Sequence, residues 1–142
     1  DCVVAKLDAS NQRLFQKINQ PARGITFHAT LSRLLRFRKR YKGRFELQIM
    51  FVDANKKAAL AMARLARKLS PDRIQINTPL RPSGVHPLIK TDIAKITTYF
   101  KGLPIVSVYQ NTKKKISPLD RKATLLRRGE EGSKRNKNQK IS

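Results

Sequence analysis

The sequence predicts an α/β protein built on a parallel sheet, and three observations lead to this prediction. Short apolar, β-branched segments alternate along the chain with segments whose apolar residues recur at helical spacing. These helical segments are long enough to cross over between parallel strands, whereas antiparallel hairpins need only short turns. Polar residues follow each of the first three strand segments, which is where ligands bind in parallel sheets and barrels.

Four segments have the character of strands. The first is mostly apolar and β-branched, as expected for a strand covered on both faces. The third alternates Ile74 and Ile76 with polar residues, and Pro79 and Pro82 stop it because proline cannot donate to a ladder. The predicted strands span residues 2–7, 45–52, 74–77 and 105–109. We expect them to be parallel neighbours.

The helix before the third strand has the most regular pattern in the chain. Pro71 lies just beyond its end. Its apolar residues follow the i, i+3, i+4, i+7 rule and are Ala58, Ala61, Met62, Leu65, Ala66 and Leu69. Another helix stops at Gly102, and its apolar stripe is Ile89, Ile93, Ile96 and Phe100.

Two further helices are predicted between the first two strands. Ser10 is expected to cap a short helix that holds Leu14, Phe15 and Ile18. Thr26 is expected to cap a longer helix over 27–41, with Gly43 ending it at a positive φ. The apolar stripe of this longer helix is Phe27, Leu31, Leu34, Leu35 and Tyr41.

The chain is predicted to form one domain over residues 1–128, followed by a tail. A last short helix is predicted at 120–128, after Pro118. Residues 129–142 are polar and low in apolar content, so we expect a disordered basic tail.

The composition indicates a partner with negative charge. The 142 residues include 32 Lys and Arg against 9 Asp and Glu, a formal net charge of +23. Such a charge attracts polyanions, although simple solubility is the alternative explanation. Cys2 is the only cysteine, which excludes an internal disulfide and favours a reducing, cytoplasmic setting. The sequence contains neither an apolar run of the ~20 residues that span a bilayer nor a secretory signal pattern.

Polar side chains at the ends of the first three strands are the candidate site. Because parallel strands share a direction, we expect these side chains to converge on one rim of the sheet. They are Lys6, Asp8, Asn55, Asn77 and Arg81.

Three separate segments resemble radical S-adenosylmethionine proteins, in the branch akin to the molybdenum-cofactor and wyosine-type enzymes. Ala-Lys-Leu-Asp-Ala at 5–9 is similar to the fourth strand and following turn of these proteins, together with the residues Phe15, Ile18, Asn19 and Pro21. Gln-Ile-Met-Phe-Val at 48–52, with Asn55, resembles their fifth strand. Gln-Ile-Asn-Thr-Pro-Leu-Arg-Pro at 75–82 is similar to the sixth. The resemblance covers residues 3–128.

The resemblance implies a partial (β/α)6 barrel, of which this chain is the carboxyl-terminal half. Such barrels hold a 4Fe–4S cluster and cleave S-adenosylmethionine reductively to an organic radical. By analogy, Lys6 and Asp8 lie near the ribose or methionine part of the cosubstrate. Gln48 faces the barrel interior, and Asn77 and Thr78 approach the adenine. At the position of Lys6, better-known relatives carry a small hydroxyl residue.

The resemblance also shows what this chain lacks. The family binds its cluster through three cysteines spaced CxxxCxxC, and thiolates are the usual ligands of such clusters. Cys2 is the single cysteine here, and the glycine-rich segment of the second strand is missing as well. The chain alone is therefore expected to bind no cofactor stably and to be inactive. Arg81 is implied to lie near a carboxylate or the substrate, while the catalytic residues and the reaction stay unassigned.

An amino-terminal half that carries CxxxCxxC is the expected partner, from the same gene or a split gene. The chain opens on a strand without an initiator Met, which leads to the same expectation. The first strand would then have a free edge, and Val4, Leu47, Ile49 and Ile76 would lie partly open to water. We expect the isolated chain to self-associate or to be only marginally stable.

A different class of function is the alternative. The chain could be a non-catalytic basic α/β module whose helix face, from Arg33 to Arg44, binds RNA or another polyanion. His28 and His86 lack partners at metal-ligand spacing and are expected in turns or on the surface, so no metal site is predicted. Cys2 has no nearby histidine and is expected to be a buried thiol.

Overall fold

A computed structural model describes residues 1–80 and 84–109. Over this part of the chain the protein is α/β, with a four-stranded sheet in the order β1-β2-β3-β4 and every neighbouring pair parallel. The strands are β1 (Cys2–Lys6), β2 (Arg44–Met50), β3 (Arg73–Asn77) and β4 (Ile105–Ser107). The helices are α1 (Gln12–Asn19), α2 (Phe27–Arg40), α3 (Ala59–Leu69, after a 3-10 turn at Lys56–Ala58) and α4 (Lys90–Tyr99). The prediction of parallel neighbours is confirmed.

The helices α2, α3 and α4 pack on the same face of the sheet. Alternate strand residues on this face, such as Phe45, Leu47 and Ile74, are fully buried in one core with residues of α3 and α4. The apolar stripe of α2 packs against the same core, as predicted. A sheet whose crossovers all join adjacent strands in chain order places its helices on one side, provided that each crossover has the same hand. The architecture is therefore consistent with part of a barrel.

The opposite face of the sheet, called the bare face below, carries the residues between those of the core. The register aligns Lys6 with Gln48, and Gln48 with Gln75. Val4 lies on this face and is 49% exposed. The expectation that Leu47, Ile49 and Ile76 are partly open to water is wrong. Side chains alternate between the two faces of a strand, and these three lie on the face that packs against the helices, where they are fully buried. The bare face is mostly polar.

The helical stripes were predicted with the right period but with errors of phase. In α3, Ala59 and Ala63 are buried whereas Ala61 is exposed. In α4, Ile93, Ile96 and the following Phe100 are buried as predicted. Ile89 is 66% exposed because it is the extended residue that precedes α4, outside the helical stripe.

The predicted amino-terminal cap is correct for α2 and shifted by one residue for α1. Thr26 caps α2 by accepting a hydrogen bond from the backbone N–H of Ala29, as predicted. Asn11, rather than Ser10, caps α1.

Gly43 does not end α2 at a positive φ, since Tyr41 caps the helix in an extended conformation. A Cβ at Gly43 would lie 2.5 Å from Tyr41 Oη and 2.9 Å from the carbonyl oxygen of Asp1. The position needs glycine because side chain and backbone approach it closely. Gly102 does adopt a positive φ, of 83°.

Several predictions fall wholly or partly outside the described residues. These are the helix at 120–128, the tail at 129–142 and the domain boundary between them.

The fourth strand is shorter than predicted, because residues 108 and 109 lie in a turn after Ser107. Cys2 is exposed in β1 rather than buried. No helix within 1–80 or 84–109 is long and apolar enough to cross a membrane.

Candidate functional site

The carboxyl ends of β1, β2 and β3 meet at one edge of the sheet, called the carboxyl rim below. Lys6 ends β1 and Asp8 follows it, while Asn77 ends β3 and Thr78 follows it. Asn55 lies in the turn between β2 and the helix α3. The shared strand direction therefore brings these polar residues to the same edge, as predicted. Arg81 lies outside the described residues.

Asp8 joins the end of β1 to the end of β2. Its Oδ1 accepts a hydrogen bond of 2.8 Å from the backbone N–H of Met50. Its Oδ2 lies 3.6 Å from the Nζ of Lys6, and the Asp8 side chain is only 4% exposed. The side chain of Lys6 is 58% exposed. Of these two charged groups, a ligand at the rim can therefore reach the ammonium of Lys6 but not the carboxylate of Asp8.

Asn55 is a buried residue that bonds to backbone groups at the ends of β1 and β2. Its Oδ1 accepts from the backbone N–H of Val52 at 2.8 Å. Its Nδ2 donates to the carbonyl oxygens of Asp8 and Met50, at 2.8 and 2.9 Å. Asn55 is completely buried, so all of these bonds are shielded from water. Asn55 thus fixes the shape of the rim and offers no polar atom to a ligand.

A row of polar side chains crosses the bare face next to the rim. Gln48 Nε2 lies 3.4 Å from Gln75 Oε1, and Gln75 Nε2 donates to Glu46 Oε2 at 2.8 Å. The Oε1 of Glu46 pairs with the Nε of Arg44 at 2.8 Å. Glu46 is only 4% exposed, although none of the described helices packs on this face. Sequence reasoning selected Gln48 but missed Glu46 and Gln75, whose alternation with Leu47 and Ile74 was the available signal.

Thr78 and Asn77 differ in where their polar atoms lie. Thr78 is 3% exposed, and its hydroxyl accepts a hydrogen bond of 2.8 Å from the backbone N–H of Leu88. The carbonyl oxygen of Leu88 in turn accepts from the Tyr109 hydroxyl at 2.9 Å. Asn77 is half-buried at the end of β3, and its carbonyl oxygen accepts from the N–H of Phe51. Thr78 therefore anchors the segment before α4, whereas Asn77 lies on the same face of β3 as Gln75.

A second charged cluster lies beside α4, near the start of α3. Lys56 Nζ lies 2.8 Å from Asp53 Oδ1 and 3.1 Å from Asp92 Oδ2. The hydrogen bond to Asp53, followed by the one to Asp92, raises the pKa of Lys56 above its ordinary value of 10.5. Lys56 and Asp92 border an open groove of about 370 Å³ that also includes Lys95 and Tyr99. The ammonium keeps its charge at neutral pH and ties the turn after β2 to α4.

The described residues do not provide the ligands of an iron–sulfur cluster. Within them, no three His, Cys, Asp or Glu side chains are grouped so that they could hold a metal ion. Cys2, the single cysteine, lies at the amino end of β1 and so at the edge of the sheet opposite the carboxyl rim. His28 and His86 are both exposed.

Comparison with known proteins gives two distant relatives. No protein-family model and no solved structure matches the sequence. The chain is 28% identical over 108 residues to the GTPase Obg of Brachyspira hyodysenteriae, a match that covers 72% of this chain and 16% of that protein. It is 27% identical over 85 residues to the UPF0026 protein MJ1312 of Methanocaldococcus jannaschii, covering 58% of this chain and 26% of that protein. The matched part is thus about a sixth of one relative and a quarter of the other.

The fold and the site together define a class of protein rather than a named activity. The chain is an α/β protein with a parallel sheet, a polar carboxyl rim and, over the part that the structure describes, helices packed on one face of the sheet. The name of the first relative states a GTPase, but the present sequence contains no GxxxxGK pattern, the loop that cradles nucleotide phosphates in P-loop enzymes. The name of the second relative states no activity.

Proposed function

We propose that this chain supplies the carboxyl-terminal half of a radical S-adenosylmethionine enzyme of the partial-barrel type. In this proposal it contributes the later strands of the cosubstrate and substrate site. The segment that binds the cluster is supplied by CxxxCxxC sequence in the same gene or in a separate one. The resemblance of residues 5–9, 48–52 and 75–82 to the family's later strands is the basis of the proposal.

The observation that carries the proposal furthest is the one-sided sheet. Parallel sheets are usually covered on both faces. Within the described residues, α2, α3 and α4 cover one face, while Val4 and Lys6 of the other face are about half exposed. A closed or partly closed barrel has helices only on its outside and side chains of the strands on its inside. The bare face corresponds to the inside of such a barrel.

The polar residues of the bare face and rim suit a polar cosubstrate. In the proposal, the exposed ammonium of Lys6 faces the carboxylate or ribose of S-adenosylmethionine, and Gln48 and Asn77 hydrogen-bond the rest of it. Asp8 and Thr78, whose polar atoms are already bonded to Met50 and Leu88, act by holding the rim in place. When bound, the cluster and cosubstrate supply the electron transfer and the radical. The residues of this chain bind and orient.

The cluster itself does not fit the residues present here. One exposed thiol cannot replace three converging thiolates. Each relative matches this chain over only a part of its own length, which is compatible with a segment that works within a larger protein.

Reconstitution tests the proposal directly. The isolated chain, treated anaerobically with iron and sulfide, is expected to show no stable cluster absorbance and to form no 5′-deoxyadenosine. A polypeptide that carries CxxxCxxC and the first three strands of the barrel, encoded next to or in frame with this chain, should restore both when combined with it. Stoichiometric cluster uptake by the isolated chain would contradict the proposal, as would a combined protein that forms no cluster.

Variants of the bare face then test the role of this chain in the combined protein. Gln48→Ala and Asn77→Ala should each reduce 5′-deoxyadenosine formation by roughly 2- to 10-fold, as expected for the loss of one hydrogen bond to a bound ligand. Arg13→Ala, on the exposed surface of α1, is the matched control and should have no effect. If both variants were as active as the control, the bare face would not be the binding face.

The free edge of β1 gives a test that does not depend on activity. Among the described strands β1 pairs with β2 alone, so its other edge has no strand partner in that part of the chain, and a free edge invites pairing with another chain. The isolated chain should self-associate or melt at low temperature, and the polypeptide with the first three strands should raise the melting temperature. Sedimentation and thermal melting with and without that polypeptide measure this. A stable monomer that ignores the added strands would show that the domain is self-sufficient.

A further inference from the structure

The end of α2 and the loop after it carry basic side chains without partners. Arg38 and Arg44 are engaged in ion pairs with Asp72 and Glu46, at 3.3 and 2.8 Å. The remaining cations form what is called the basic surface below, and none of them has an ion pair or a side-chain hydrogen bond within residues 1–80 and 84–109. They are Arg33, Arg36, Lys39, Arg40 and Lys42, all exposed.

Two adjoining grooves run across the basic surface. The first has a volume of about 430 Å³ and is lined by Arg33, Arg36 and Arg40 together with Phe37 and Tyr41. The second has a volume of about 520 Å³ and includes Lys39, Lys42 and Tyr41. Because Tyr41 borders both, a linear ligand could pass from one groove to the other without leaving the cationic surface.

An exposed aromatic ring lies among these cations. Phe37 is 38% exposed, and its ring stacks on that of Tyr41 with centroids 5.0 Å apart and planes 20° apart. The Tyr41 hydroxyl donates to the carbonyl oxygen of Asp1, which fixes the orientation of the pair. Phe37 also contacts the ring of the buried Phe45, at 6.1 Å. Phe37 is therefore a rigid aromatic side chain with part of its surface facing solvent next to arginines.

The basic surface runs along the second half of α2 and reaches the edge of the sheet opposite the carboxyl rim. Its second groove borders Arg44 at the start of β2 and Asp72 just before β3. The rim begins where the same strands end. With seven residues in β2 and a rise of about 3.3 Å per residue, the two edges are about 20 Å apart. A ligand on the basic surface therefore does not occupy the rim.

We propose that the basic surface binds the phosphate backbone of a single-stranded nucleic acid, with a base against Phe37. Five unpaired cations in one continuous surface match a ligand with regularly spaced negative charges. Three of the five are arginines, whose planar guanidinium groups bind phosphate oxygens in pairs and stack on bases. An aromatic ring beside a cationic groove is the combination by which sequence-tolerant proteins hold single strands.

The proposal is tested by fluorescence anisotropy of a labelled, mixed-sequence RNA or DNA strand of about 12 nucleotides, within the usual size of a single-strand site. Affinity is measured over a series of salt concentrations with the full chain. Replacement of three basic-surface arginines (Arg33→Gln, Arg36→Gln and Arg40→Gln) should weaken binding. It should also reduce the slope of log affinity against log salt by about 2, at about 0.7 for each lost phosphate contact on a single strand.

A matched control removes the same charge elsewhere. Arg13→Gln, Lys17→Gln and Lys95→Gln change exposed residues of α1 and α4 and should leave the slope nearly unchanged. Phe37→Leu, which keeps an apolar side chain against Phe45, should weaken binding about fivefold without changing the slope, at the lower end of the range for loss of one stacked base. Thermal melting checks that each variant is folded.

Three results would overturn the proposal. The first is an equal loss of slope in the control variant, which would mean that net charge alone drives binding. The second is equally tight binding of poly-glutamate of the same charge or of an RNA duplex. The third is unchanged affinity in the folded Phe37→Leu protein. These readouts need neither cluster nor cosubstrate, so their failure is distinct from failure of the proposed enzyme function.

Discussion

Leu47 and Gln48 are adjacent residues of β2, yet they lie in opposite environments. Leu47 is fully buried under the helices, whereas Gln48 lies on the bare face with its side chain near Gln75. The same contrast repeats along β3, where Ile74 and Ile76 are buried and Gln75 is not. The comparison shows that one face of the sheet supplies the core, while the described residues of the other face are mostly polar.

The largest expected loss of stability comes from truncating a side chain on the face that packs against the helices. Leu47→Ala should reduce the free energy of unfolding by about 2–5 kcal/mol, because it removes transfer energy and leaves a cavity in the packed core. Gln48→Ala, one residue away, should change it by about 0.5 kcal/mol or less, as for most substitutions outside a packed core. Urea unfolding of the two variants measures the difference. Equal losses would mean that something also covers the bare face in the free chain.

The next largest loss of stability is expected at Asn55, which lies at the carboxyl rim where β1 and β2 end. Asn55→Ala removes three buried hydrogen bonds and leaves the Val52 N–H and two carbonyl oxygens unpaired, so we expect a loss of about 3 kcal/mol. Asn11→Ala, which removes the exposed cap of α1, should cost about 1 kcal/mol. Chemical denaturation compares the two. An Asn55→Ala protein as stable as Asn11→Ala would show that water replaces the lost bonds.

The opposite edge of the sheet should respond less. Gly43→Ala places a methyl group 2.5 Å from Tyr41 Oη, so the Tyr41 ring must move, and we expect a loss of about 1–3 kcal/mol. Gly84→Ala is the control, because a Cβ there meets nothing within 4 Å. Thermal melting measures both variants. If Gly43→Ala has the same melting temperature as the wild-type chain, the packing of Tyr41 at this edge adjusts without loss of stability.

The smallest effect is electrostatic. The hydrogen bonds to Asp53 and Asp92 raise the pKa of Lys56 in the folded chain. A raised pKa stabilises the fold below the unfolded value of 10.5, and this contribution is lost as the pH rises through the folded value. NMR titration at alkaline pH should show that Lys56 deprotonates above its ordinary value of 10.5. Asp92→Asn should shift the titration of Lys56 downward, and an unchanged titration would contradict the pairing.

The elements and their parallel arrangement could be predicted because they depend on local periodicity. The face that packs under the helices could also be predicted, because the apolar residues of β2 and β3 alternate with polar ones and an apolar face packs in the core. Leu47 and Ile49 were nevertheless expected on the same inner face as Gln48, which the period of two does not allow. Ala61 was assigned to the stripe of α3 because alanine fits either the core or the surface.

The candidate site was predictable in position more than in detail. Strand direction alone brings Lys6, Asp8 and Asn77 to one rim. The bonds that occupy Asp8 and Thr78 involve backbone groups of Met50 and Leu88, which are 42 and 10 residues away in the chain. Such partners are set by register and by the path of a loop, and neither is written in the local sequence.

The order of the strands in the sheet is the order in which they occur in the chain. Each described strand can therefore pair with the one made before it as soon as the helix between them is complete, and none of these four strands has to be inserted between strands already in place. Synthesis from the amino end would extend the sheet one unit at a time, in the direction of β4, in keeping with the folding of domains during translation. A nascent chain in which α3 has already left the ribosome should have β1 and β2 paired before β3 is exposed.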